Sequence, residues 1–228
     1  MSTPTTTFSA SALPTLKPVS HLTLREQVTQ SVRNALMNGN LQPGQSVTVK
    51  AISGMLGASV MPAREAMTRL IAEGALELRA NRTVIVPQLS PQDFDELTDL
   101  RCHIECKAAV QALARIEPQH ITELRAIAAD MRCEQGADAY LNANFQFHFL
   151  IYRLGASGFV LSIIEKMWVR VGPLIRFGLG GIDFADSRQA HERIIDSLVQ
   201  RDAESLRQAI HDDLTTAAYS IRQARGWR

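Results

Sequence analysis

The chain changes its hydrophobic pattern at a short proline-bounded stretch, Pro87–Pro91, and this change limits the folds open to it. Before it, three helix-sized segments are followed by two short extended segments, Ala75–Leu78 and Thr83–Val86. After it, apolar residues recur only at helical intervals, and no segment reads convincingly as a strand. The sequence therefore predicts a mainly α protein with a hairpin-containing N-terminal unit and an all-helical C-terminal unit.

The N-terminal unit carries start and stop signals for three helices. The first begins with a capping-box spacing at Thr23 and Glu26, and the next two follow Thr48 and Ser59. Each predicted helix ends near a glycine: Gly39, Gly57 and Gly74. With the hairpin and its polar tip, this order predicts a winged helix–turn–helix within residues 21–87.

Residues 88–228 are predicted to form an all-helical domain of about six helices. Ser90 precedes a proline at the first helical position, with Asp93 three residues after the cap, so a long helix starts here. Further helical segments are predicted at 119–134, 138–155, 159–178, 185–200 and 202–224.

The remaining composition indicates a cytoplasmic protein. The three cysteines, Cys102, Cys106 and Cys133, are odd in number and form no CxxC pair, which does not suggest a disulfide framework. No apolar run approaches the ~20 residues needed to span a bilayer, so no membrane partner is expected. Residues 1–20 are rich in Ser, Thr and Pro and lack the pattern of a signal peptide. They are predicted to be a disordered tail.

The charge of the whole chain conceals a difference between its two parts. A net charge of +1 argues at first against a protein that coats nucleic acid. Residues 1–87, however, hold eight basic and four acidic residues, an excess of four positive charges, while residues 88–228 carry a net charge of −3. The positive excess is modest, and it coincides with the predicted helix–turn–helix.

The start of the third predicted helix is the expected reader of DNA bases. Arg64, in its second turn, is placed to reach a guanine edge, and Val60 and Met61 in its first turn are placed to contact thymine methyl groups. The remaining DNA-contact candidates are the capping Ser59, Lys50 and Arg69 for phosphates, and Asn81 and Arg82 at the hairpin tip.

Other interpretations of these residues remain open. Arg64 is also placed to form an ion pair with Glu65 or Glu73 instead of reading a base. A three-helix unit with a hairpin can also be a protein-binding module.

Four motifs in this region resemble the GntR family of bacterial transcription regulators: Leu41–Ser46, Met55–Ser59, Pro62–Ala66 and Leu70–Gly74. The resemblance covers residues 22–86, and it implies a winged helix–turn–helix that binds a palindromic DNA operator as a homodimer. One position departs from the family pattern. The residue after Ser59, commonly a base-reading arginine, is Val60, so the usual operator of the family is not implied.

Histidines in three predicted helices form a candidate metal site. Asn144 and His148 are four residues apart and share a helix face, while His191 and His211 lie on later helices. Three imidazoles and one oxygen are able to close around a divalent ion. The alternative is that these separated histidines are surface residues or each satisfied by one hydrogen bond.

The C-terminal unit also resembles the FCD effector domain of the FadR branch of the GntR family. The matching features are Leu100–Arg101 with Glu105, Phe147–His148, His191 with Ile194, the Arg201–Asp202 helix break, and His211. Many members bind a metal through an aspartate, a histidine four residues later, and two further histidines. The resemblance therefore implies the ligands Asn144, His148, His191 and His211. Because Asn144 replaces a charged aspartate, zinc or nickel is expected rather than manganese or magnesium.

Two arginines are candidate effector-binding residues. By the same resemblance, Arg101 borders the metal cavity, where a guanidinium would bind a small carboxylate through a bidentate fork. Its alternative is an intrahelical ion pair with Glu105, and Arg176 is a second, weaker candidate.

These features together predict a homodimeric transcription regulator, expected to be a repressor, that senses a small organic acid at a metal site. One alternative is a regulator that senses the metal itself. A metalloenzyme is the other alternative, but no HExxH motif is present and no carboxylate is clearly placed as a general base. The protein is therefore not expected to be an enzyme.

Overall fold

The computed structural model describes residues 22–131, 136–181 and 184–227. The predicted tail at residues 1–20 and Cys133 lie outside these ranges.

The N-terminal elements form the winged helix–turn–helix that the sequence predicts. Their order is α1 (Leu24–Met37), α2 (Val49–Leu56), α3 (Val60–Ala72), β1 (Glu77–Leu78) and β2 (Val84–Ile85). The two strands pair antiparallel, with Glu77 opposite Ile85 and Leu78 opposite Val84, and Ser46 forms a further antiparallel bridge to Ile85. We call this unit, α1 to β2, the head.

Local sequence explains where the head's helices begin and end. Thr23 Oγ1 accepts a hydrogen bond from the amide of Glu26 at 3.2 Å, and the Glu26 carboxylate accepts from the Thr23 amide at 2.8 Å. These two bonds form the predicted capping box. Gly39 and Gly57, which follow α1 and α2, adopt left-handed φ values of 64° and 60° that glycine adopts at little cost. The head's core is formed by apolar residues spaced at helical intervals, including Val28, Val32, Leu36, Ile52, Met67 and Leu70.

The C-terminal elements form an all-helical bundle. They are α4 (Pro91–Ala112), α5 (Pro118–Asp130), α6 (Ala137–Gly155), α7 (Gly158–Gly178), α8 (Phe184–Gln200) and α9 (Ala203–Arg225), with a short 3-10 turn at Leu179–Gly181. We call this unit, α4 to α9, the body. In the described part of the chain, none of these helices has the length and apolar character needed to cross a membrane.

Helix α4 is the central element of the body. It packs against α6, α7 and α9. Helix α5 packs against α6 and α8, α8 packs against α9, and α1 of the head packs against α7. The α4–α6 contact is close because Gly155 has no side chain. A Cβ atom at Gly155 would lie 1.8 Å from the carbonyl oxygen of Ala108 and 2.6 Å from the amide nitrogen of Ala112.

Replacing Gly155 with alanine is expected to destabilise the body by at least ~2 kcal/mol, because the methyl group would collide with backbone atoms that cannot rotate away. The matched control is Gly158→Ala, where an added Cβ meets nothing within 4 Å. That change is expected to stay within ~0.5 kcal/mol of the original protein. Urea unfolding followed by circular dichroism measures both, and equal midpoints for the two variants would contradict the close contact.

Candidate effector and DNA-binding sites

A cavity of about 500 Å³ lies among α4, α6, α7, α8 and α9. Its apolar wall includes Phe94, Trp168 and Ile175, and its polar lining includes Arg101 and Tyr140. Cavities of this size take a small organic ligand. The lining of the cavity therefore combines apolar and polar side chains.

Four potential metal ligands from α6, α8 and α9 converge at this cavity. Ligand atoms of His148, His191 and Asp213 all lie within 4.8 Å of one another. His148 Nε2 is 3.2 Å from Asp213 Oδ2, and His191 Nε2 is 3.3 Å from Asn144 Oδ1. A tetrahedral zinc ion with bonds of ~2.0–2.1 Å places its ligand atoms about 3.3 Å apart, so this spacing fits a metal.

The orientation of His191 also fits a bound cation. Its Nδ1 is 2.8 Å from the backbone carbonyl oxygen of Ser187, which only accepts, so Nδ1 carries the proton. Burial lowers the pKa of His191, which leaves the imidazole neutral and Nε2 with a lone pair. That lone pair faces the Asn144 amide oxygen, another acceptor, and a metal ion between the two would satisfy both.

A single carboxylate supplies the negative charge of the cluster. Burial alone would raise the pKa of Asp213, but the nearby His191 and His148 lower it to about 2, so the carboxyl group is ionised. His148 is oriented on its other side by Tyr152, whose hydroxyl lies 3.2 Å from Nδ1. The donor set is therefore two imidazoles, one carboxylate and one amide oxygen.

The structure does not bring His211 into this cluster, where the sequence places it, and Asp213 lies there instead. The His211 side chain is 49% exposed, and its Nδ1 lies 3.6 Å from Asp212 Oδ1. The buried residues Leu206, Ile210 and Leu214 define the inner face of α9. Asp213 is three residues after Ile210 and seven after Leu206, so helical periodicity places it on that face and His211 outside it. This periodicity is the sequence signal that identifies Asp213.

Arg101 forms the intrahelical ion pair with Glu105 and also lines the cavity. The buried guanidinium donates to Glu105 through Nε at 2.7 Å and Nη2 at 3.4 Å. Its Cζ lies 5.1 Å from the ring centroid of Trp168, whose indole N–H donates to Glu105 at 3.0 Å. Glu105 and Trp168 thus hold Arg101 in place at the cavity.

Arg176 lies at the contact between head and body rather than among the residues that line the cavity. Its Nε donates to the carbonyl oxygen of Gly39 at 2.8 Å, and its Nη2 donates to Asn40 Oδ1 at 3.4 Å and to Asp138. Its placement therefore does not support the predicted effector-binding role.

The start of α3 is exposed in the way a DNA-reading helix requires. Ser59 occupies the N-cap, but its hydroxyl makes no capping hydrogen bond. Val60 and Met61 are 52% and 63% exposed, although both are apolar. Arg64 is exposed and, within the described residues, takes part in no ion pair.

The predicted partners of Arg64 are engaged elsewhere. Glu65 lies 4.0 Å from Arg25, and Glu73 pairs with Arg33 at 2.5 Å and with Arg69 at 2.8 Å. The ion-pair alternative for Arg64 is therefore not seen.

The other DNA-contact candidates lie on exposed parts of the head. Lys50 is exposed on α2, and Arg69 is half exposed while paired with Glu73. At the wing tip, Asn81 Oδ1 accepts from the Thr83 amide at 3.0 Å, and Arg82 has a left-handed φ of 62°. The tip is thus a tight turn with exposed Asn81 and Arg82.

Comparison with protein-family models assigns both units. The FCD domain model matches residues 96–216, more than half of the chain, and the model for bacterial regulatory proteins of the gntR family matches residues 24–86. The chain belongs to the GntR family. It is a transcription regulator of the FadR-like branch, with a GntR helix–turn–helix and an FCD domain.

Known relatives agree with this assignment over most of the chain. The HTH-type transcriptional regulator McbR of Escherichia coli (strain K12) is 27% identical over 87% of this chain and 92% of its own length. The probable D-xylose utilization operon transcriptional repressor of Paenarthrobacter nicotinovorans is 27% identical over 86% of this chain and 88% of its own. The solved structure of E. coli McbR/YncC superposes with a TM-score of 0.81 at 26% identity, covering 89% of this chain and 99% of that one.

Asp213→Ala is expected to abolish stoichiometric zinc binding, because it removes the only carboxylate of the His148–His191–Asp213 cluster. His211→Ala, two residues away on the same helix, is the matched control and is expected to retain full zinc content. Elemental analysis of protein incubated with zinc and desalted measures both. Loss of zinc from the His211 variant alone would restore the ligand set predicted from sequence.

Proposed function

We propose that this GntR-family regulator is a homodimeric repressor that binds a palindromic operator and releases it on sensing a small organic acid at a divalent metal. Residues 21–87 would bind the DNA, and residues 88–228 would hold the metal, bind the effector and form the dimer. The observation that carries the proposal is the convergence of Asn144, His148, His191 and Asp213 on a cavity that Arg101 also lines. Because its target is bacterial DNA, the protein would act in the cytoplasm.

The head offers a surface suited to DNA. The unpaired Arg64, with Val60 and Met61 beside it, would read bases in the major groove, the arginine at guanine and the apolar pair at thymine methyl groups. The residues placed around them, Ser59, Lys50, Arg69, Asn81 and Arg82, would contact the phosphate backbone or, at the wing tip, the minor groove. The small positive excess of this region supports a site that depends on dimerisation and a few base contacts.

The donor set supports a transition metal at the cavity. Two imidazole ligands favour zinc or nickel over magnesium or calcium, and Asp213 supplies the negative charge that Asn144 lacks. A bound ion would supply open coordination positions to a carboxylate oxygen of the effector. Contacts at the other ring nitrogen would orient both imidazoles toward the metal. Tyr152 contacts Nδ1 of His148, and the Ser187 carbonyl contacts Nδ1 of His191.

Arg101 would bind the carboxylate of the effector beside the metal. The guanidinium has five N–H donors, of which the contacts with Glu105 use two. The apolar wall of Phe94, Trp168 and Ile175 would pack against the rest of the molecule. A small organic acid with an apolar portion fits this combination.

The effector would act by shifting a population of arrangements of the two DNA heads. The acid would bind one arrangement more tightly than the other. Operator affinity would then change by the difference between the two free energies of acid binding. The hinge of this motion would lie at residues 86–92, between β2 and α4.

A regulator that senses the metal alone remains a second candidate, because the ligand cluster is complete without any organic molecule. A titration separates the two. If zinc alone switches operator affinity and no carboxylate adds to the effect, the acid-sensing proposal is wrong.

Arg64→Ala is expected to weaken operator binding by ~1–3 kcal/mol and to relax the preference at one base pair of each half-site. Fluorescence anisotropy with DNA sites recovered by in vitro selection on the original protein measures the effect. Arg125→Ala, an exposed arginine on α5 of the body, controls for the loss of one positive charge. Equal affinities for the two variants would exclude the base-reading role.

Arg101→Lys is expected to lose the thermal stabilisation that small carboxylates give the zinc-loaded protein, while operator affinity of the effector-free protein is unchanged. Lysine keeps the positive charge beside Glu105, whereas alanine would leave that buried carboxylate unpaired and cost ~3–5 kcal/mol. A lysine lacks the bidentate fork, so the carboxylate contact is lost. The check is a thermal-shift panel of mono-, di- and hydroxycarboxylates, and a response equal to that of the original protein would remove Arg101 from the effector site.

A further inference from the structure

The head is docked on the body through a contact between backbones. The end of α1 lies against α7 at Gly172, where an added Cβ would be 2.3 Å from the carbonyl oxygen of Leu36 and 2.6 Å from that of Met37. Gly39, two residues after Met37, approaches the same point, since its own added Cβ would be 2.9 Å from the Gly172 carbonyl oxygen. No side chains intervene at this point, so a shift of α7 at Gly172 is transmitted directly to the end of α1.

Polar contacts hold the turn after α1 to both α6 and α7. Arg176 on α7 donates to the Gly39 carbonyl at 2.8 Å and to Asn40, and it also pairs with Asp138 on α6. Asn38 Nδ2 donates to Asn142 Oδ1, also on α6, at 3.2 Å. We call Asn38–Asn40 together with Asp138, Asn142, Gly172 and Arg176 the junction.

The two helices of the junction are also walls of the effector cavity. On α6, Tyr140, Asn144 and His148 line the cavity, while Asp138 and Asn142 lie on the other side of the helix. On α7, Trp168 and Ile175 line the cavity, and Arg176 directly follows Ile175. Each helix therefore contacts the cavity and the DNA-binding head at once.

The junction also contains a group that the docked arrangement leaves unsatisfied. Asn38 Oδ1 is buried and, in the part of the chain that the structure describes, has no hydrogen-bond partner. An unpaired buried acceptor destabilises the arrangement that buries it. Separating the turn from α6 would return this oxygen to water, which lowers the cost of a second, undocked arrangement.

We propose that Arg176 is a positioning residue that couples occupation of the metal and effector cavity to the placement of the DNA-binding head. The inference rests on the proposed function, because it takes the cavity to be the ligand site. Binding at Asn144 and His148 fixes α6, and Arg176 bridges α6 through Asp138 to the carbonyl of Gly39. The head is then held in one orientation relative to the body, and removal of Arg176 leaves ligand binding intact but disconnects it from the head.

Hydrogen exchange with zinc as the probe tests the coupling in the full-length protein. In the original protein, zinc is expected to slow exchange by at least ~5-fold both around the ligands on α6, residues 141–151, and in the head's turn, residues 36–41. In Arg176→Gln, the slowing on α6 is expected to remain and the slowing in the turn to disappear. If Arg176 only stabilised the turn, Arg176→Gln would change the exchange rate of the turn by the same factor with and without zinc. The difference between the two rates therefore tests the coupling.

Arg222→Gln is the matched control. Arg222 pairs with Asp95 at 2.5 Å within the body, and its side chain is 24% exposed against 25% for Arg176. This variant is expected to keep the zinc response of both segments. Slowing of the turn that survives in Arg176→Gln, or slowing on α6 of the original protein with none in the turn, overturns the inference and leaves the metal site intact.

A second variant decides the inference if zinc does not bind. No slowing on α6 of the original protein would count against the proposed metal site, not against the junction. Gly172→Ala pushes α1 away from α7 without adding an atom to the cavity, so the coupling predicts faster exchange of the cavity-lining residues 140–148 in the metal-free protein. Unchanged exchange there would overturn the inference.

Discussion

The buried ion pair of Arg101 and Glu105 fixes the arrangement of helices around the cavity of the FCD domain. Glu105 is fully buried, and a lone carboxylate in such a place would be strongly unfavourable. Arg101 from the same helix and the indole N–H of Trp168 from α7 both donate to it, so α4 and α7 are fixed to each other at this point. Burial, together with the neighbouring Glu105 side chain, raises the pKa of Tyr152, which keeps the phenol protonated beside His148. Glu105 thus positions Arg101 directly and His148 through Tyr152.

In the candidate metal site, the carboxylate lies on a different helix from the one that the FCD resemblance implies. The FCD resemblance implies an aspartate at the position of Asn144 and a histidine on the last helix. Here the amide lies on α6 and the carboxylate, Asp213, lies on α9, so the number of negative charges is the same. An ion bound at this cluster would meet one negative charge, supplied by α9 instead of α6.

Several features of the site were accessible from the sequence, and others were not. His148, His191 and Asn144 were predicted together because they match a known pattern, and the structure brings them together. His211 was implied by the FCD resemblance, whereas the phase of the apolar residues on α9 points to Asp213. Arg176 was a second, weaker effector-binding candidate. Its position at the contact with the head depends on how α7 packs against α1, which no local pattern records.

The sequence by itself determined the fold class, the order of elements and the surface of the recognition helix, because caps, glycines and hydrophobic periodicity are local signals. Tertiary structure decided which residues face the cavity and which face the head. That choice depends on helix rotation and on contacts between residues far apart in the chain, such as Gly172 against Leu36 and Arg176 against Gly39. A helix one residue out of phase turns a ligand into a surface residue, and packing fixes the phase wherever the apolar pattern leaves it open.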